Sequence, residues 1–231
     1  MLLHGFTQTC ESFERSILAA PKDGRAIWAF ALPGHHPAVP VVRGFSANVE
    51  ALAARIANEV GEGINLIGYS LGGRCALGLI ACAPRLAKSV TLIGAHSGLR
   101  SEEEREARRD SDARWVGILR SGRMSQFVSA WEAQPLFSTQ ARVPPEFLDV
   151  QRRRRLAHDP SQLADSIEEL GLASMPDYGA VLRNSEAAIT LVTGALDAKF
   201  TALAAKVGLP HRVVANVGHN IVLEEPAAIW R

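Results

Sequence analysis

The feature of this sequence that most constrains its fold is the pentapeptide Gly-Tyr-Ser-Leu-Gly at positions 68–72. A short apolar run at 64–67 leads into it, and a stretch of helical periodicity at 71–83 leads out of it and stops before Pro84. Flanking glycines permit a sharp, strained turn that lifts the hydroxyl of Ser70 above the end of a strand. The pentapeptide therefore predicts a strand, a nucleophile turn and a helix. The alternative is an ordinary glycine-rich turn with a solvated serine.

Short β-rich runs alternate with helical patterns along most of the chain, which is typical of a mostly parallel sheet with flanking helices. The pattern predicts strands at 25–32, 64–67, 89–93, 189–193 and 212–215, and helices at 46–60, with Ser46 as N-cap, at 71–83 and at 201–207. The segment 99–175 has helical patterns and no evident strand. We therefore predict an α/β fold whose core comprises residues 1–98 and 176–231, with residues 99–175 inserted as a helical lid over the carboxyl edge of the sheet, where ligands bind.

A serine hydroxyl needs a base, and the base needs an acid that orients it. In α/β-hydrolases these residues follow the chain order serine, acid, histidine. Asp197 lies just beyond the strand predicted at 189–193, and His219 lies just beyond the last predicted strand. Alone, Asp197 reads as a helix N-cap and His219 as a surface loop residue. Their joint occurrence in this order predicts a catalytic triad of Ser70, His219 and Asp197.

The other polar groups that this chemistry requires have candidates as well. An oxyanion hole takes one N–H from the residue after the nucleophile, Leu71, and one from an earlier turn, for which Phe6 is the candidate. Arg74 lies one helical turn after Ser70, where its guanidinium could grip a substrate carboxylate with two hydrogen bonds. An ion pair between Arg74 and a nearby acid is the alternative. The predicted lid is rich in arginine and has no lysine.

Composition excludes several classes of function. A length of 231 residues fits one domain, and a formal net charge of +1 gives no sign of a nucleic-acid or membrane-surface partner. The three cysteines form no CxxC pair, which fits a reducing cytoplasm rather than a disulfide framework. No signal peptide is evident, and no apolar run approaches the ~18 residues of a membrane span. We expect a cytoplasmic protein, with a monomer favoured.

Four motifs in order resemble the 2-succinyl-6-hydroxy-2,4-cyclohexadiene-1-carboxylate synthases of menaquinone biosynthesis: GYSLGGR, RRDSDARW, WEAQPLF and GALDAKF. The resemblance spans essentially the whole chain. It implies an α/β-hydrolase fold and a lyase that eliminates pyruvate from a succinyl-enolpyruvyl-hydroxycyclohexene carboxylate. It implies that the serine acts as a base. We expect neither a cofactor nor a metal. Carried over residue by residue, it assigns carboxylate binding to Arg74, Arg108 and Arg155, and the pocket wall to Tyr69, Trp131 and Phe137.

Parts of the sequence depart from the family's pattern and keep alternatives open. The turn at 31–36 reads ALPGHH where DLPGHG is usual, and the loop at 95–98 reads AHSG where Gly-x-Pro-Gly is usual. Four consecutive arginines at 152–155 leave open which of them faces the site. Tyr69, Trp131 and Phe137 would equally suit a plain hydrophobic core. A serine esterase or C–C bond hydrolase remains the alternative function, and a ligand-binding receptor is a third that a complete triad argues against. Met1 falls on the strand leading into His4, so we also expect one exposed sheet edge.

Overall fold

The computed structural model describes all 231 residues, and its core is one six-stranded sheet in the order β2-β1-β3-β4-β5-β6. Every pair of neighbouring strands is parallel. The carboxyl ends of all six strands therefore meet at one edge. The strands are β1 (Leu2–Leu3), β2 (Ala29–Phe30), β3 (Ile64–Tyr69), β4 (Ala87–Ile93), β5 (Ala188–Gly194) and β6 (His211–Val214).

Ten α-helices flank or extend this sheet. They are α1 (Glu14–Leu18), α2 (Phe45–Glu59), α3 (Leu71–Cys82), α4 (Glu102–Arg120), α5 (Met124–Glu132), α6 (Pro145–Leu156), α7 (Pro160–Leu170), α8 (Gly179–Asn184), α9 (Ala198–Ala205) and α10 (Ile221–Glu224). Short 3₁₀ helices add the segments Cys10–Phe13, Pro84–Leu86, Pro135–Arg142 and Pro226–Trp230. No helix combines the length and apolar content that a membrane crossing requires.

Two local predictions are wrong. The run at 25–32 forms only the two-residue strand β2, because its sole neighbour β1 is itself two residues long and offers no further ladder partners. Trp28, just before β2, is 43% exposed at this outer edge of the sheet. Ser46 is not an N-cap, since α2 begins at Phe45 and its N-cap is Gly44, with φ at +90°. The Phe45 ring packs in the core, and α2 begins at Phe45, one residue before the predicted N-cap Ser46.

The apolar side chains separate into layers on either side of the sheet. The largest cluster packs α2 and α3 against one face, with Val49 and Phe45 close to Gly78 of α3. A second cluster on the other face includes Phe13 and Ile229.

A third cluster lies wholly within the segment between β4 and β5, and it is built from Trp115, Leu119, Phe127, Val128, Leu163 and Ala164. Residues 99–175 of this segment contain α4 to α7 and no strand. Its aromatic side reaches the turn after β1, where the Phe6 and Trp131 rings lie edge to face at 5.1 Å. The inserted helices, α4 to α7, thus contact the turn at the carboxyl end of β1.

Candidate active site

Ser70 occupies a strained turn between β3 and α3. Its φ is +51°, a region that side chains other than glycine rarely adopt, and its N–H is held by the Ile93 carbonyl at 2.8 Å. The glycines are required by close approach: a Cβ on Gly68 would lie 2.5 Å from the Gly72 carbonyl oxygen, and one on Gly72 would lie 2.2 Å from the Leu3 carbonyl oxygen. Backbone strain of this kind concentrates at functional sites.

The structure brings Ser70, His219 and Asp197 together in the arrangement that acid–base activation of a hydroxyl requires. His219 Nε2 lies 3.3 Å from Ser70 Oγ, and His219 Nδ1 lies 2.7 Å from Asp197 Oδ2. Because a carboxylate can only accept, Nδ1 carries the proton and Nε2 is free to accept from the serine. Asp197 Oδ1 also accepts from the Phe200 N–H at 3.3 Å and so caps α9. Both interpretations of Asp197, N-cap and partner of the histidine, therefore hold at once.

The two residues predicted for an oxyanion hole lie at the same cavity as Ser70. The turn after β1 is closed by the Gln8 N–H donating to the Gly5 carbonyl at 3.1 Å, and the Gly5 N–H donates to Gln8 Oε1 at 3.0 Å. The Phe6 N–H between them donates to no protein group. Leu71 is the first residue of α3, so its N–H has no partner within the helix.

A cavity of about 170 Å³ opens in front of Ser70. Of the residues predicted for the site, all but Asp197 line this cavity: Phe6, Tyr69, Ser70, Leu71, Arg74, Arg108, Trp131, Phe137, Arg155 and His219. Asp197 does not line the cavity and contacts His219. Burial raises the pKa of the Tyr69 hydroxyl, which keeps it neutral. A larger cavity of about 400 Å³ lies beyond the 94–98 loop and does not reach Ser70.

The arginines of the cavity differ in whether a carboxylate of the protein pairs with them. Arg74 donates to the Leu170 carbonyl at 2.7 Å and has no carboxylate oxygen within 4 Å. Burial, with the neighbouring Arg108 adding to it, lowers the pKa of Arg74 to about 10. Arg108 pairs through Nε with Asp112 Oδ2 at 2.7 Å, on the next turn of α4. The alternative prediction, an ion pair between Arg74 and a nearby acid, is therefore wrong.

Arg155 is the member of the 152–155 run that faces the cavity, and it is only 2% exposed. Its Nη1 donates to Glu132 Oε1 at 3.0 Å and its Nε donates to Thr7 Oγ1 at 3.2 Å. Arg152 pairs with the other oxygen of Glu132, and Arg154 pairs with Glu14 on the outside.

Several residues at this site were not predicted from the sequence. Phe200, the last residue of the GALDAKF motif, places its ring 4.6 Å from the His219 ring and lines the cavity. Its position three residues after Asp197 is the signal that could have identified it. Asn220 is fully buried beside His219, and its amide joins Gln8 at 3.4 Å to Gln151 at 3.0 Å. No local pattern points to that chain of amides.

Comparison with known proteins settles the family. The alpha/beta hydrolase family model matches residues 1–231. A 2-succinyl-6-hydroxy-2,4-cyclohexadiene-1-carboxylate synthase of Citrobacter koseri is 32% identical over 237 residues, which cover 99% of this chain and 89% of that protein. The chain belongs to this synthase family of the α/β-hydrolases. The predicted α/β-hydrolase fold and the resemblance are both confirmed.

Two solved structures resemble the protein closely in fold. The structure of MenH from S. aureus matches with a TM-score of 0.89 at 25% identity, covering 97% of this chain and 87% of that one. A thermophilic esterase from Thermogutta terrifontis matches with a TM-score of 0.79 at 21% identity, covering 99% of this chain and 85% of that one. That second likeness shows the fold alone.

Proposed function

We propose that this member of the synthase family eliminates pyruvate from 2-succinyl-5-enolpyruvyl-6-hydroxy-3-cyclohexene-1-carboxylate, giving 2-succinyl-6-hydroxy-2,4-cyclohexadiene-1-carboxylate. One observation carries the proposal: three arginines and a single acid, Asp112, line the cavity of Ser70. One of those arginines, Arg74, has no carboxylate partner although it is partly buried. A substrate with several carboxylates supplies the missing negative charge, whereas a neutral ester supplies none.

The family relatives support the same substrate class, and the unusual loops do not argue against it. Neither the 31–36 turn nor the 95–98 loop lines the cavity in front of Ser70. Their departures from the family's usual sequence therefore leave the residues around the substrate unchanged.

The proposed chemistry follows from the substrate's own bonds. The ring carbon that bears the succinyl group is adjacent to a ketone, so its proton is the acidic one. Ser70 Oγ removes that proton while its own proton passes to His219 Nε2, and Asp197 stabilises the resulting imidazolium. Charge that develops on the ketone oxygen is stabilised by the N–H groups of Phe6 and Leu71.

Elimination then completes the step. The electron pair of the broken C–H bond forms a new ring double bond, the existing double bond shifts by one position, and the C–O bond to the enolpyruvyl group breaks. The departing enolate takes a proton that the His219–Ser70 pair returns, and it tautomerises to pyruvate. The ring keeps two conjugated double bonds and every atom is accounted for.

The decisive experiment measures pyruvate, with lactate dehydrogenase and NADH as the detector. Wild-type protein should release one pyruvate per substrate, and Ser70→Ala should release almost none. Hydrolysis of p-nitrophenyl acetate is measured in parallel. Turnover of the ester without pyruvate release would establish the serine hydrolase in place of the lyase.

We further propose that the protein acts as a cytoplasmic monomer on this small anion, with neither a nucleic acid nor a membrane as partner. Three unpaired thiols, at Cys10, Cys75 and Cys82, and a net charge near zero support that setting. Light scattering coupled to gel filtration tests the monomer, and a larger species would contradict it.

A further inference from the structure

The residue after the proposed oxyanion donor Phe6 has an unusual backbone. Thr7 has a φ of +63° and is the second central residue of the turn that Gln8 closes onto Gly5. Glycine or asparagine is the usual residue at such a position, and a β-branched side chain is disfavoured there. Strained conformations persist only where the surroundings hold them. Some contact must therefore keep Thr7 in place.

All three polar groups of Thr7 are bound by side chains. Its N–H donates to His35 Nε2 at 3.1 Å. Its hydroxyl accepts from Arg155 Nε at 3.2 Å, and its carbonyl accepts from His158 Nε2 at 3.3 Å. Thr7 is 1% exposed, so water does not compete for these groups.

Two of the three partners come from the inserted helices. Arg155 lies in the last turn of α6 and His158 follows that helix, 148 and 151 residues along the chain from Thr7. The third, His35, lies in the loop after β2, and its ring meets the His158 ring edge to face at 5.5 Å. The inserted helices and the core loop therefore hold the turn between them.

The protonation states fit this role. His35 accepts at Nε2, so its proton is on Nδ1, which faces the Pro33 carbonyl at 3.0 Å. Burial, with His4 and His158 nearby, lowers the pKa of His35 well below its usual range and keeps this acceptor neutral. Burial also lowers the pKa of His158, whose Nε2–H can donate to a carbonyl in either charge state.

We propose that Thr7 is a positioning residue, and that His158 and Arg155 hold it in the left-handed conformation that presents Phe6 to the Ser70 cavity. This inference rests on the proposed function, in which Phe6 is an oxyanion donor. It adds that the donor is in place only while the inserted helices contact the turn. Arg155 then has two tasks, because its Nε is engaged by Thr7 while it also lines the cavity.

The test uses variants of His158, which does not line the cavity. His158→Ala removes the donor to Thr7, and His158→Gln restores an N–H at a similar reach. His36→Ala is the matched control, since His36 is an exposed histidine in the loop after β2. The measurements are amide hydrogen exchange at Thr7 and Gln8, together with kcat and KM for pyruvate release and for p-nitrophenyl acetate.

We expect His158→Ala to speed exchange at both amides and to lower kcat on both substrates by about tenfold to a hundredfold, less than complete loss of a donor. KM should stay within about twofold, His158→Gln should recover most of kcat, and His36→Ala should behave as wild type. Glycine tolerates the left-handed region, so His158→Ala should cost less when combined with Thr7→Gly.

Two results with the His158→Ala variant would overturn the inference. Unchanged exchange in His158→Ala would mean that the inserted helices do not hold the turn. Faster exchange with unchanged kcat would mean that the position of the turn does not matter to the reaction. If the wild type hydrolyses the ester but releases no pyruvate, the proposed function is wrong. The inference is then judged from ester hydrolysis and hydrogen exchange in the His158 variants. A wild type that turns over neither substrate defeats both, and hydrogen exchange then reports only on the contact.

Discussion

Replacing Arg74 by methionine separates a binding role from a structural one. Methionine keeps an unbranched stem of similar length and removes the charge. In the structure the guanidinium donates to the Leu170 carbonyl at 2.7 Å and lacks a carboxylate partner, and burial lowers its pKa to about 10. The lowered pKa means that keeping Arg74 charged in the folded protein costs at most about 3 kcal/mol. Its partial exposure to solvent reduces this cost.

The predicted effect on stability is small because two contributions oppose each other. Arg74→Met removes that cost and also removes a charge-assisted hydrogen bond that contributes roughly 1.5–3 kcal/mol. We expect the free energy of unfolding to change by no more than about 1 kcal/mol, as measured by urea denaturation. Breaking a buried ion pair would instead cost about 3–5 kcal/mol.

The predicted effect on catalysis is large and selective. Loss of one charge-assisted contact to a substrate carboxylate should lower kcat/KM for pyruvate release by roughly tenfold to a hundredfold. Hydrolysis of p-nitrophenyl acetate at Ser70 should barely change. The ratio of the two losses cancels general damage, and Arg153→Met, an exposed arginine of α6, serves as the control. Equal losses on both substrates, or a large loss of stability, would refute the binding role.

Three more predictions follow from single features of the structure. Asp197→Asn should lower kcat by about 10⁴, since the amide would favour the wrong tautomer of the histidine, and near wild-type turnover would show that another acid serves. Burial lowers the pKa of His4 to about 4. As the pH falls below about 6.5, His4 is therefore protonated in the unfolded chain while it stays neutral in the folded one. Through His4 the free energy of unfolding should therefore fall by on the order of 2 kcal/mol between pH 7 and pH 5, and urea titrations showing greater stability at pH 5 would contradict this. Gly72→Ala should lower the free energy of unfolding by about 1–3 kcal/mol, because its Cβ would lie 2.2 Å from the Leu3 carbonyl oxygen. Gly117→Ala has open space around its Cβ, so its melting temperature should be unchanged or higher in thermal melts.

Sequence alone determined the parts of this protein that short-range chemistry encodes. Ser70 could be identified because its turn needs glycines at fixed offsets between a strand and a helix. Asp197 and His219 followed because each comes directly after a strand of one parallel sheet, and such strand ends meet at one edge. Arg74 was found because a spacing of four residues on a helix returns to the same face.

Tertiary structure decided what local patterns leave open. Four consecutive arginines on a helix point in different directions, and only packing against Glu132 and Thr7 selects Arg155 for the cavity. The length of β2 depended on its neighbour in the sheet rather than on its own residues. The left-handed Thr7 was invisible in sequence because the groups that hold it come from the loop after β2 and from the region of α6. Contacts between such distant segments exist only after the chain has folded, so no local pattern carries them.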